Sequence, residues 1–171
     1  MHALGDPPAP NDLVGLLLAC HQRIRSFARL AFTLGVRLDL DAAEVADAAS
    51  RCWRYFHDAL PLHVLDEEKT LWPRLAGRSP GLDATLAQMH MQHLAHERGL
   101  AALLRALAEV RQHPHALAAR KALAASASAL ESDLEAHLGL EEAALFPLIP
   151  RLLDPPTLAA AVAELRARRQ P

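Results

Sequence analysis

Apolar residues recur at positions 13, 17, 20, 24, 27, 31, 34 and 38 of this chain, in steps of four and three. Such steps gather side chains on one face of an α-helix and scatter them over both faces of a strand. They predict a first helix over roughly 12–38, with Asn11 as its N-cap. Val45, Ala49, Cys52, Phe56, Ala59, His63, Glu67 and Leu71 carry the same period. Pro61 interrupts that stripe and, lacking a backbone donor, predicts a kink or break near Ala59. Ser79 caps and Pro80 opens a third helix, striped by Leu82, Leu86, Met89, His93, His96, Leu100, Leu103, Leu107 and Val110. A fourth stripe runs Leu123, Ala127, Leu130, Leu134, His137, Glu141, Leu145 and Leu148, disturbed by Pro147 and Pro150. After Asp154-Pro155-Pro156, residues 157–169 read as a short fifth helix.

Composition agrees with this pattern. Alanine and leucine supply 68 of the 171 residues, while isoleucine, valine and threonine together supply 12. Strong helix formers dominate and the β-branched residues a sheet needs are scarce. The expected fold is all-α: an antiparallel up-down four-helix bundle over 12–153, followed by a short C-terminal fifth helix and tail over 154–171. Residues 1–11, with three prolines, read as a disordered lead.

Several function classes recede at once. A net charge of −2 and 4% aromatics give no footprint for a nucleic-acid partner. No run approaches the ~18 apolar residues of a membrane span, so no membrane partner is expected. The start of the chain lacks a basic region followed by an apolar core, so no signal peptide is expected. Two cysteines, Cys20 and Cys52, cannot make a disulfide framework and favour a reducing, cytoplasmic setting. Gly-rich phosphate loops, Ser-His-Asp order and Cys-x2-Cys pairs are all lacking, which leaves nucleophilic catalysis without support.

The unusual residues are ten histidines, several on apolar stripes. Residues 63–73 and 137–147 share the pattern His-x3-Glu-Glu-x2-Leu-aromatic-Pro. Each copy follows a stripe histidine at a similar distance, His21 lying 42 residues before His63 and His93 lying 44 before His137. At about 100° per residue, positions i and i+4 sit side by side one turn apart. His63 with Glu67, and His137 with Glu141, therefore point together into the core. A buried ionised carboxylate without partners costs several kcal/mol, roughly. No lysine or arginine shares these stripes nearby, so a divalent or trivalent cation is the simplest compensation. Mixed imidazole and carboxylate donors suit iron, manganese or zinc rather than calcium or magnesium.

These residues resemble the hemerythrin-like, HHE cation-binding family, whose pattern is His, His-x3-Glu, His, His-x3-Glu over four helices. The resemblance covers roughly 12–153 and implies a four-helix bundle around a non-haem di-iron centre. It implies that His21, His63, His93 and His137 are terminal nitrogen ligands and that Glu67 and Glu141 bridge two iron ions. An oxo or hydroxo bridge would complete the pair, with manganese or zinc as substitutes. The expected partner is a diatomic or peroxide ligand. One departure stands out: oxygen-carrying members have His-x3-His on the third helix, whereas position 97 here is Glu97. That favours sensing, redox or iron-handling roles over reversible oxygen carriage. Two alternatives stay open, a di-iron enzyme with peroxide-consuming or oxidase activity and a metal-free helical interaction module.

The remaining polar residues have plainer expected roles. His96 lies on the stripe and is a candidate extra ligand; His90 lies off it. Glu68 and Glu142 read as surface charges or hydrogen-bond partners of the site rather than ligands. His57 is expected beside Trp53 or in solvent, His113 and His115 in a surface loop, and His2 in the lead. Cys20 and Cys52 read as small core residues, with a redox role for Cys20 the minor alternative. Leu17, Ile24, Leu71 and Leu145 are expected to sleeve the metals, and Trp72 and Phe146 to pack the bundle end. Arg166, Arg168 and Arg169 read as a solvated basic face.

Overall fold

The structure is a computed structural model that describes residues 12–170. The expected lead, with Asn11 and His2, lies outside the described residues. Five helices follow one another, and no strand occurs among the described residues. The first, Leu13–Val36, is capped by Asp12, whose side chain accepts from the Gly15 amide at 2.8 Å. The second runs over 42–75 behind an Asp41 cap. The third, Pro80–Gln112, starts at a Ser79 cap as the sequence predicts. The fourth begins as Leu117–Leu140, widens over Glu141–Leu145 and ends in the single turn Ile149–Leu152. The fifth, Pro155–Ala167, is capped by Asp154. None of these helices is long and apolar enough to cross a membrane.

Near Ala59, where Pro61 predicts a kink or break, the second helix does not end. It stays helical throughout, with two π-helical stretches, Tyr55–Ala59 and Asp66–Leu71, inserted in the α-helical ladder. The amide of Leu60 bonds to the Tyr55 carbonyl, and that of Trp72 to the Glu67 carbonyl, each five residues back. In the fourth helix Phe146 bonds to the Glu141 carbonyl at 2.9 Å in the same way. All three donors immediately precede a proline: Pro61, Pro73 and Pro147. A proline has no amide to give and crowds the carbonyl four residues back. Slipping the ladder by one residue just before it accommodates both problems without ending the helix. The repeated Glu-Glu-x2-Leu-aromatic-Pro segment is thus the sequence form of a π-turn whose first carbonyl belongs to Glu67 or Glu141.

The first four helices pack in a ring, first on fourth, fourth on third, third on second and second on first. The first and fourth approach closely at Gly35, where an added Cβ would lie 2.5–2.7 Å from Ala124. Two apolar clusters fill the interior. One gathers Ile24, Leu34, Phe56, Leu107, Leu123 and Leu130 with their neighbours. The other gathers Leu17, Leu71, Leu86, Met89, Leu145 and Phe146 with theirs. Each fully buried leucine contributes about 1.5–3 kcal/mol to folding. Between the clusters lies a single polar layer, formed by His21, His63, Glu67, His93, His137 and Glu141.

Candidate metal centre

On each helix the polar layer occupies the position the apolar stripe assigns it. His21 follows Leu17 and precedes Ile24; His63 and Glu67 lie between Leu60 and Leu71; His93 follows Met89; His137 and Glu141 lie between Leu134 and Leu145. All six predicted residues converge. His63 Nε2 lies 2.9 Å from Glu67 Oε1, and His93 Nε2 lies 3.1 Å from Glu67 Oε2. His21 Nε2 lies 3.0 Å from Glu141 Oε2, and His137 Nε2 lies 3.1 Å from Glu141 Oε1. The Nε2 atoms of His93 and His137 are 3.0 Å apart. Two four-residue groups, each with donor atoms within 4.8 Å of one another, result: His21, His63, Glu67 and Glu141, and Glu67, His93, His137 and Glu141.

Contacts within the set do not fully satisfy it. Among the described residues, both oxygens of Glu67, both of Glu141, both nitrogens of His63 and Nε2 of His21 are buried without a well-formed hydrogen bond. Buried polar atoms in that state are costly unless protons or a cation meet them. Their chemistry, imidazole nitrogen and carboxylate oxygen aimed at common points, is that of a transition-metal site. Among protons alone, charge is balanced by the histidines. Burial by itself would raise the Glu67 carboxyl, but the His63 and His93 imidazoles outweigh it and hold Glu67 well below the usual carboxylate range. Burial would likewise lower His63, but the Glu67 and Glu141 carboxylates hold it well above the usual imidazole range.

A further layer orients the imidazoles. His21 Nδ1 meets Glu142 Oε1 at 2.7 Å, and Arg25 Nη1 donates to the same oxygen at 2.8 Å. His93 Nδ1 and His90 Nδ1 both meet Glu68 Oε1, at 3.0 and 2.9 Å. His137 Nδ1 meets the Gln92 amide oxygen at 2.9 Å. An ionised carboxylate or amide oxygen only accepts, so the Nδ1 atoms of His21, His93 and His137 donate and their Nε2 atoms are left facing the centre of the layer. Glu68 and Glu142 therefore match their expected role beside the site. Leu17, Ile24, Leu71 and Leu145, all buried, form the expected sleeve. Phe146 does more than pack an end: its ring lies 5.0 Å from that of His21 and walls the layer. Trp72 meets His90 edge-on at 5.7 Å.

His96 stands outside both groups, half-buried, with its ring 5.3 Å from that of His137. Glu97 is exposed and joins neither. His57 stacks on Trp53 at 4.3 Å, and His113 and His115 are exposed. Cys52 is buried and Cys20 half-buried. The Cys20 thiol lies below its usual range: burial alone would raise it, but His63 and Arg169 prevail.

The basic C-terminus requires a correction. Arg166 is exposed, but Arg168 and Arg169 both pair with the fully buried carboxylate of Asp66. Arg168 also donates to Thr70 Oγ1 at 2.6 Å. Glu164 accepts from Thr70 Oγ1 at 2.9 Å and from Arg74 Nη2 at 2.6 Å. A buried Asp needs compensating charge, and the end of the fifth helix supplies it. Arg120 is a second residue the stripes did not reveal. It is buried and donates to the carbonyls of Leu34, Arg37 and Pro114, satisfying the end of the first helix.

Comparison with known proteins adds an independent finding. The family model described as the hemerythrin HHE cation binding domain matches residues 12–149. An uncharacterized protein of Haemophilus influenzae is 28% identical over 85 residues, covering 48% of this chain and 49% of that relative. The chain thus spans about half the length of the curated relative it matches.

Proposed function

The chain belongs to the hemerythrin HHE cation-binding family, and from that premise we propose that it holds a pair of iron ions and uses them to bind or sense dioxygen, nitric oxide or peroxide, or to sense iron itself. The observation that carries this reading is the sharing of Glu67 and Glu141 between the two donor groups. Each carboxylate offers one oxygen to a histidine of the first group and its other oxygen to a histidine of the second. That division suits two cations joined by two carboxylates. His21 and His63 would hold one ion and His93 and His137 the other. Mixed nitrogen and oxygen donors favour a first-row transition metal, with manganese and zinc as competitors for iron. Bound iron would supply one-electron redox chemistry and open positions for a small ligand. The chain's own contribution is orientation by Glu68, Glu142 and Gln92 and exclusion of bulk water by the leucine sleeve. With Glu97 outside both groups, four histidines hold the centre, and sensing is favoured over reversible carriage.

The bundle we propose is antiparallel. Its support is the order of layers along each helix. The first and third helices meet the Leu17–Leu86 cluster before the polar layer, while the second and fourth meet it after. The pairs His21–Glu142, Arg25–Glu135 and Gly35–Ala124 also run in opposite senses along the first and fourth helices. Cys20 and Cys52 are free thiols, which suits a cytoplasmic setting.

Anaerobic reconstitution with ferrous iron, followed by metal analysis and optical spectra before and after oxygen, tests the function. The expected result is a pair of iron ions per chain and a near-ultraviolet charge-transfer band on oxygenation. A single tightly held zinc, or no metal in protein supplied with iron, would overturn it.

A further inference from the structure

A cavity of about 430 Å³ opens against one side of the polar layer. His63, Glu67, His93 and His137 form its inner end. Its walls are apolar, carried by Ile24, Leu60, Val64, Leu100, Leu130 and Leu134. Leu65 and Leu94, 38% and 47% exposed, stand at its outer edge. A water occupies ~30 Å³ of liquid, and a diatomic or hydrogen peroxide is of that order. The cavity is therefore roughly ten times larger than such ligands need. It falls instead within the ~300–1,000 Å³ of sites that enclose small organic molecules.

Charge narrows the class of occupant. No lysine or arginine lines the cavity; Glu67, Glu68 and Glu97 do, and the lining imidazoles of His63, His90 and His93 are already engaged with Glu67 and Glu68. An organic carboxylate or phosphate would meet like charge and no unengaged counter-charge, so the fitting molecule is neutral. Its body must be apolar to match the leucines, and one polar head group can reach the histidines. We propose that this cavity binds a neutral organic hydroperoxide, with its hydrocarbon body among the leucines and its polar head group toward His93 and His137. The inference rests on the metal reading above, which makes a peroxide a ligand of the site, and it names the kind of peroxide.

Calorimetric titration with 2-phenylpropan-2-ol, the unreactive alcohol of cumene hydroperoxide, tests binding apart from turnover. Saturable binding of one molecule per chain is expected, with benzoate at least tenfold weaker. Leu100→Trp fills the cavity and should weaken binding at least tenfold. Leu94→Trp, at the exposed edge where folding is spared, should do the same by obstruction. Leu117→Trp, exposed and away from the cavity, should leave binding unchanged. No saturable binding, benzoate binding as well as the alcohol, or full affinity in both cavity variants would overturn the proposal. Metal content of the same samples separates the two readings. Metal held without alcohol binding contradicts the cavity proposal alone, whereas alcohol bound by protein that takes up no metal contradicts the metal centre and, with it, the assignment of a hydroperoxide as occupant.

Discussion

The two His-x3-Glu segments are alike in backbone and unlike in what holds them. Each places histidine and glutamate one turn apart, then slips into a π-helical stretch that starts at or beside the glutamate and ends just before a proline. The segment at 137–147 is steadied by neighbours within the four-helix ring. Gln92 holds His137, and Glu142, tied to Arg25, holds His21. The segment at 63–73 also reaches a ring neighbour, through Glu68 on His93 and His90, but it draws further support from outside the ring: the adjoining Asp66 is clamped by Arg168 and Arg169 beyond the end of the fifth helix. Equal donor geometry is thus reached by unequal support, and the fifth helix serves one half of the centre.

The largest expected effect falls on both halves together. A metal present at about 1,000 times its dissociation constant stabilises the folded state by about 4 kcal/mol. In a chain of this size, removing it should lower Tm by roughly 8–16 °C, which chelation followed by calorimetry measures. Arg168→Ala with Arg169→Ala comes next and strikes one half. It leaves Asp66 buried without counter-charge at a cost of about 3 kcal/mol, the low end of the range because both guanidinium groups still reach water. Arg25→Ala, whose partners Glu135 and Glu142 are partly exposed, should cost under about 1 kcal/mol by denaturant melting. Equal losses from the two changes would erase the asymmetry.

Changes read as metal affinity and pH dependence sharpen it. Glu142→Gln and Glu68→Gln keep the shape but weaken the acceptor on His21 and His93. Each should lower metal affinity about 10–100-fold in competition with a chelator. The pH dependence of the metal-free protein should separate two groups on one segment. His63 is raised in the folded state by Glu67 and Glu141, so its contribution is present below about 6.5 and is lost as pH rises through the raised value. Glu67 is lowered by His63 and His93, so its contribution is present above about 4.3 and is lost as pH falls through the lowered value. Metal-free protein should therefore lose stability toward alkaline pH, and His63→Gln should flatten that decline. Metal should bind more tightly as pH rises, because it displaces the proton on His63.

The six central residues were legible because burial and chemistry coincide: a histidine or glutamate standing in phase with leucines has to face inward. His93 and His96 share one stripe, and packing against Glu67 and His137 decides between them. Pro61 does not end its helix, because a proline breaks a ladder only while that ladder keeps its four-residue step. Once it slips to five, Glu67, Pro73 and the aromatic between them become parts of one device. On an α-helical period Asp66 lies about 100° from Glu67 and about 60° from His63, at the flank of the stripe, and it is buried. Arg168 and Arg169 could not be paired with it from the sequence, since nothing local says that a tail about a hundred residues away returns to cover that face.

The central claim is that Glu67 and Glu141 are shared by two ions. Anomalous diffraction at the iron edge, on crystals of iron-loaded protein, tests it most directly. The account predicts two peaks roughly 3.5–4 Å apart, one against His21 and His63 and the other against His93 and His137, with both carboxylates between them. One peak alone, or peaks away from these six side chains, would contradict it.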